Sequence, residues 1–181
     1  GFSDPGAIGV DGIKEAPLNL AIAKVVAAHL PKDKVTVYTT TDHTKEVRLE
    51  QRVSRANSIK ADCFISLHCD SAPNNTSARG TTIFHNLAPG SKGKALAVDI
   101  AQEMLHCPFE LRGIRTRASE TTPNQDYYYV IRATAMPAVL VEVCFLTNKT
   151  DAVLVSQPTC QVCVGQHIAR GIMNWLSIGR Q

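Results

Sequence analysis

Ala138-Val139-Leu140-Val141-Glu142-Val143 is a short apolar run that carries a single carboxylate. Its counterpart, residues 61–68, ends in Phe64-Ile65-Ser66-Leu67-His68 and is too short for a helix. Continuous rather than alternating hydrophobicity marks both as buried central strands, covered on two faces. Helical periodicity surrounds them. Leu18, Ile22, Val25, Val26 and His29 recur on one stripe, with Pro17 in the first turn, where a missing N–H costs least, and Pro31 as the stop. Residues 49–59 place Leu49, Val53, Ala56 and Ile59 on one face. Residues 94–105 return to helical period, and a last helix, about 161–176, aligns Val164, Ile168, Ile172 and Trp175. Residues 34–40 alternate through Val35, Val37 and, more loosely, Tyr38, as a strand would, and 80–85 are β-branched and strand-like. Loops fill the rest: 1–12, with turns at Asp4-Pro5-Gly6 and Asp11-Gly12, the polar stretch 71–79, and the irregular stretch 107–125. Strands alternating with helices of this length predict one α/β domain over 1–181, with a mixed, mostly parallel twisted sheet flanked by helices on both faces.

Composition agrees with one well-packed domain: 181 residues, 44% hydrophobic and 19% charged. No stretch of about 18 uninterrupted apolar residues is present, so no membrane span is expected, and no basic-then-apolar signal segment opens the chain. The net charge of +3 is mild. Its densest patch, Arg112, Arg115 and Arg117, reads either as a solvated loop or as a weak footprint for an anionic polymer such as a cell wall. No basic helix, zinc finger or aromatic stacking motif accompanies it, which argues against nucleic acid. Six cysteines in a chain of this length do not make a disulfide scaffold. Cys63 and Cys144 fall in strand-like runs, and Cys160 with Cys163 forms a lone C-x-x-C in a helix-like segment, read as core packing. Free thiols fit synthesis in a reducing compartment.

Two residues violate their surroundings. Glu142 closes Ala-Val-Leu-Val and His68 closes Phe-Ile-Ser-Leu. A carboxylate at the mouth of a buried strand needs hydrogen bonds, a cation or a metal. Alone, His68 reads as a hydrogen-bonded structural histidine and Glu142 as a partner for a nearby arginine. At equivalent carboxyl ends of two central strands, where open α/β sheets bind ligands, they point to a site. Glu15 stands where the N-terminal loop enters its helix, a position that equally suits a favourable charge at a helix N-terminus. Residue chemistry therefore reaches one histidine and two glutamates as a candidate site.

Several segments carry a resemblance. Asp4-Pro5-Gly6-Ala7-Ile8-Gly9 with Gly12 and Glu15, then Ser66-Leu67-His68, then Val141-Glu142 with Phe145-Leu146-Thr147-Asn148 resemble the zinc-dependent N-acetylmuramoyl-L-alanine amidases of the Amidase_3 type, found in bacterial autolysins and phage endolysins. Arg52 to Asn57, Ala78-Arg79-Gly80 and Met136-Pro137-Ala138 also match, in order, over nearly the whole chain. The resemblance implies a Zn2+ ion held by two histidines and a glutamate, with Glu15 and His68 as two of the ligands and Glu142 as the catalytic residue. It implies a peptidoglycan substrate, cut between N-acetylmuramic acid and L-alanine at the cell wall. The site of action would be extracellular or periplasmic, or reached by phage release from the cytoplasm. Arg115 and Arg117 are expected near the substrate groove, and a monomer is expected. The first family histidine stands immediately before the residue matching Gly1, after a short strand, so both are expected upstream of residue 1. His29, His43 and His85 are conceivable substitutes, none of them favoured. Three other readings stay open: a peptidoglycan-binding domain with an incomplete zinc site, a zinc peptidase acting within the stem peptide, and a structural α/β protein with ordinary hydrogen-bonded Glu and His.

Overall fold

All eight residues of one strand, Ala138–Phe145, are buried, and the rest of the molecule is arranged around it. The computed structural model of the protein describes residues 5–41, 46–88 and 90–177. In chain order the elements are α1 (Glu15–His29), α2 (Leu49–Ser58), β1 (Phe64–Asp70), β2 (Thr81–His85), α3 (Lys92–Met104), β3 (Leu111–Arg115), α4 (Tyr129–Ala133), β4 (Ala138–Phe145), α5 (Lys149–Val155) and α6 (Pro158–Trp175). The four strands form one sheet in the order β1-β4-β2-β3. β4 runs parallel to β1 and antiparallel to β2, and β2 runs parallel to β3.

Side-chain alternation divides the residues of β4 between two apolar layers. Val139, Val141 and Val143 enter the larger one with Ile22, Ile83, Leu96, Ile100, Val164 and Ile168, from α1, β2, α3 and α6. Ala138 and Leu140 enter the smaller one with Val53 and Ala56 of α2, Phe64 of β1, and Val130 and Ile131 of α4. Helices thus cover both faces, as the alternating pattern implied. Each fully buried aliphatic side chain contributes about 1.5–3 kcal/mol relative to exposure, and this layered burial is what holds the sheet in place.

The long periodic helices match expectation. Pro17 lies in the first turn of α1, and Leu30 is extended ahead of Pro31, so the helix ends at His29. Pro158 sits at the start of α6. Only part of each expected stripe is buried: His29 is exposed, bonded to the Val25 carbonyl at 2.9 Å, and Leu49 and Ile59 are exposed at the ends of α2.

Four expectations need correction. The run ending at His68 is not a central strand: among the described residues β1 lies at the edge of the sheet, and its residues 65–68 are half-buried. Residues 34–40 are not a strand; no ladder partner flanks them among the described residues, and Val37 and Tyr38 lie open to solvent. Alternation makes a strand only where another backbone satisfies its N–H and C=O groups. The irregular stretch 107–125 contains β3, so Arg112 and Arg115 stand on an edge strand rather than in a loop. Gly113, at φ +108°, interrupts the pattern there, and the ladder to β2 shifts register between Thr81 and Thr82. Finally, β1 and β4 run past His68 and Glu142 to Asp70 and Phe145, so neither residue terminates its strand. Asp4 of the expected turn, and His43, lie outside the described residues.

Candidate functional site

Parallel pairing of β1 with β4 makes His68 and Glu142 register partners, and antiparallel pairing of β2 with β4 sets Thr82 opposite Glu142. Register partners share a face, so these three stand in a row on the side of the sheet that carries Phe64 and Leu140. The smaller apolar layer covers Phe64 and Leu140; the row lies beyond it, nearer the carboxyl ends of β1 and β4.

Glu15, the first residue of α1, reaches this row from the edge of β1. Its Oε1 accepts from Asn19 Nδ2 at 2.9 Å and from the Cys69 backbone N–H at 3.2 Å, and lies 2.8 Å from His68 Nδ1. Its Oε2 accepts from the Ala7 backbone N–H at 2.8 Å. The loop can close this tightly only because residue 6 is glycine: its φ is +71°, and a Cβ there would collide with the Glu15 carboxylate. A simple charge at a helix N-terminus would need none of these partners. Burial alone would raise the Glu15 carboxyl, but the His68 hydrogen bond, the Ala7 and Cys69 amides and the His68 charge overcome it and hold the carboxyl at about 2.

His68 completes the bridge, with Nε2 3.0 Å from Ser66 Oγ. Burial works against its charged form, yet the Glu15 hydrogen bond and the charges of Glu142 and Glu15 raise its pKa above the ordinary value. Glu142 behaves oppositely. It is 7% exposed, and its buried Oε2 has no hydrogen-bond partner among the described residues. Burial pushes the carboxyl up to about 8, reinforced by Asp70 and Glu15 and opposed by His68 and Arg117. Two glutamates on neighbouring elements are therefore split in proton affinity, a pattern typical of acid–base assignment.

The structure thus brings Glu15, His68 and Glu142 together. Arg117 joins from the segment after β3, with its guanidinium 3.7 Å from the Tyr127 ring centroid and close enough to pull on the Glu142 charge. Arg115 is placed differently: it is exposed on β3, and its Nη2 donates to the Arg112 carbonyl at 3.4 Å. His85 pairs with Val139, on the opposite side of the sheet from Glu142. His29 closes the 15-residue α1, about 21 Å along the helix from Glu15 at a rise of about 1.5 Å per residue.

Sequence reasoning missed the supports. Asn19 lies one helical turn after Glu15, and Ser66 lies two residues before His68 on a strand, so spacing alone implied both contacts. Asp151 carried a fainter signal, the cap pattern Asn148-x-x-Asp151. It is buried, and its Oδ2 accepts from Gly80 N at 2.7 Å and Phe145 N at 3.0 Å, tying the start of β2 to the end of β4. Asn57 clasps the entry to β4 through Ala133 O and Ala135 N.

The Amidase_3 family model, described as N-acetylmuramoyl-L-alanine amidase, matches residues 1–174. The chain is 31% identical over 173 residues to the uncharacterized protein YqiI of Bacillus subtilis, covering 95% of this chain and 79% of that one. It is 30% identical to the N-acetylmuramoyl-L-alanine amidase LytC of the same organism, covering 97% of this chain but 34% of LytC. Among solved structures, the N-acetylmuramoyl-L-alanine amidase AmiC2 of Nostoc punctiforme superposes with a TM-score of 0.86 at 30% identity, covering 98% of this chain and 92% of AmiC2. The chain belongs to the N-acetylmuramoyl-L-alanine amidase family.

Proposed function

We propose that this chain is a zinc hydrolase that cleaves the amide between N-acetylmuramic acid and L-alanine in peptidoglycan, acting at the cell wall. The observation that carries the reading is the unpartnered, buried Glu142 Oε2, aligned beside a His68–Glu15 pair whose ligand atoms are 2.8 Å apart. A buried carboxylate oxygen left without a donor is costly unless a cation or a substrate proton completes it.

The donor set fits zinc, because one imidazole nitrogen and one carboxylate oxygen already converge, in the partly buried, hydrogen-bonded setting that orients metal ligands. Glu15 and His68 would be two ligands. The family resemblance implies a second histidine as the third ligand. Zinc held there supplies Lewis acidity, polarising the scissile carbonyl and acidifying water toward a pKa of about 7. Asn19, Ala7 and Cys69 fix the Glu15 carboxylate. Glu142, whose proton affinity is raised by burial, takes a proton from the attacking water and delivers it to the departing alanine nitrogen. Arg117, supported by Tyr127 and lying near Glu142, binds the substrate at the mouth of the site, and Arg115 extends that surface along β3.

The experiment is release of new N-terminal alanine from purified peptidoglycan, with and without a chelator. Activity should disappear with the chelator and return with Zn2+. Glu142→Ala should keep the metal and lose turnover. Wall binding without any release of alanine would instead identify a binding module, and cleavage that leaves alanine on muramic acid would identify a peptidase.

A further inference from the structure

Cys163 belongs to the C-x-x-C of α6, but its partner is not Cys160. Cys160 faces the larger core and is 6% exposed. Cys163 Sγ instead lies 3.9 Å from Cys107 Sγ, which is brought from just beyond the end of α3. His167 stands four residues after Cys163, on the same face of α6. One ligand atom from each of Cys107, Cys163 and His167 falls within 4.8 Å of the other two, the one such triple among the described residues.

We propose that these three residues form a second metal site, separate from the Glu15–His68–Glu142 group, that takes Zn2+ or another thiophilic divalent cation. The separation is the first argument. Two sulfurs on a tetrahedral zinc, with bonds of about 2.3 Å, lie roughly 3.8 Å apart. The observed 3.9 Å matches that spacing, whereas a disulfide needs the sulfurs at about 2.05 Å. The second argument is the histidine. Its Nδ1 lies 3.2 Å from Glu103 Oε2, and the other oxygen of Glu103 accepts from Asn174 Nδ2 at 3.1 Å. Nδ1–H held by a carboxylate leaves the Nε2 lone pair free, the arrangement by which carboxylates orient metal-bound imidazoles. The third is charge balance. Both thiols release their protons to solvent on binding, and two thiolates with a neutral imidazole make a centre of zero net charge around a divalent ion. The fourth position is taken by water or by His106, whose exposed ring stands 5.6 Å from that of His167. A metal here would fasten the end of α3 to the middle of α6. The site uses no residue of the proposed hydrolytic centre, so the two readings stand or fall separately.

The test is Co2+ substitution of the whole chain, kept reduced throughout, with metal content measured in parallel after Zn2+ loading. Thiolate-to-cobalt charge transfer in the near-ultraviolet separates this site from the hydrolytic one, whose proposed ligands include no thiolate, and the cysteine variants assign the band among the six free cysteines. The wild type and His68→Ala should both show the band. Cys163→Ser should lose it, and with Cys107→Ser it should bind one Zn2+ fewer per chain. Glu103→Gln should weaken Zn2+ binding, read by chelator competition, about 10- to 100-fold. No thiolate band in the wild type, or a band that survives removal of both cysteines, overturns the proposal. So does a Cys107–Cys163 disulfide mapped by peptide mass in the metal-free chain prepared without reductant under air, which would mean that oxygen oxidises the pair to a covalent bridge.

Discussion

Replacing Glu142 by glutamine should make the metal-free protein less sensitive to alkaline pH. In the folded chain the Glu142 carboxyl is pushed from 4.5 to about 8. The folded state therefore keeps a proton that the unfolded chain has released. Its contribution to stability is fully present below about pH 4.5, falls as pH rises, and is gone above about pH 8. At about 1.36 kcal/mol per unit, a shift of this size is worth a few kcal/mol, and exposure of 7% leaves little solvent to screen it. His68 acts in the same direction, because its raised pKa also stabilises the fold at low pH; Glu142 causes part of that shift, so glutamine reduces it too. Glu15 acts oppositely: held at about 2, its contribution is present above 4.5 and lost only as pH falls below that. Between about pH 4.5 and about pH 8 the raised Glu142 and His68 groups both make stability fall as pH rises. Denaturant unfolding of chelator-treated wild type and Glu142→Gln across that window should give a wild-type stability that falls more steeply, the two diverging by a few kcal/mol at the alkaline end. Parallel curves would refute the reasoning, since they would mean that Glu142 titrates as an ordinary carboxylate.

Other outcomes follow from particular contacts. Gly6→Ala should lower Zn2+ retention at the Glu15–His68 site, because its Cβ meets the Glu15 carboxylate; Gly12→Ala, at a similar φ of +76° but facing open space, should cost stability without that loss. Asp151→Ala leaves two buried N–H groups without an acceptor, at about 1–3 kcal/mol each, and calorimetry should show a fall in Tm of about 2–4 °C per kcal/mol. Ile100→Ala, at a fully buried position between the sheet and α6, should cost about 2–5 kcal/mol in denaturant unfolding with little change in alanine release.

The sequence by itself determined the long helices, the two apolar strand runs and the α/β class with helices on both faces. Period 3.6 marked α1, α2, α3 and α6, and the run at 138–143 marked β4, because burial on both faces leaves no polar alternation; the run at 61–68 marked β1 as a strand, though it is half-buried at the sheet's edge rather than central. It also marked Glu15, His68 and Glu142, since a polar residue next to a buried run, or at a helix entrance, stands out against its neighbours. The resemblance to the amidases was legible for the same reason: its motifs are local.

Tertiary structure decided what depends on pairing between distant segments. Residues 34–40 alternate like a strand yet have no ladder, and β3 forms in an irregular stretch because β2 offers it a backbone to bond. The pairing of His68 with Glu142 is a matter of sheet register across 74 residues, and the opposite proton affinities of Glu15 and Glu142 follow from which donors reach each carboxylate. Cys107 and Cys163, 56 residues apart, meet only because α3 packs against α6. The C-x-x-C motif read as core packing; Cys160 does face the core, while Cys163 is half-buried beside Cys107 of another segment. Local pattern reports which groups a chain carries, but burial and long-range contact set which of them share a site and in what charge state.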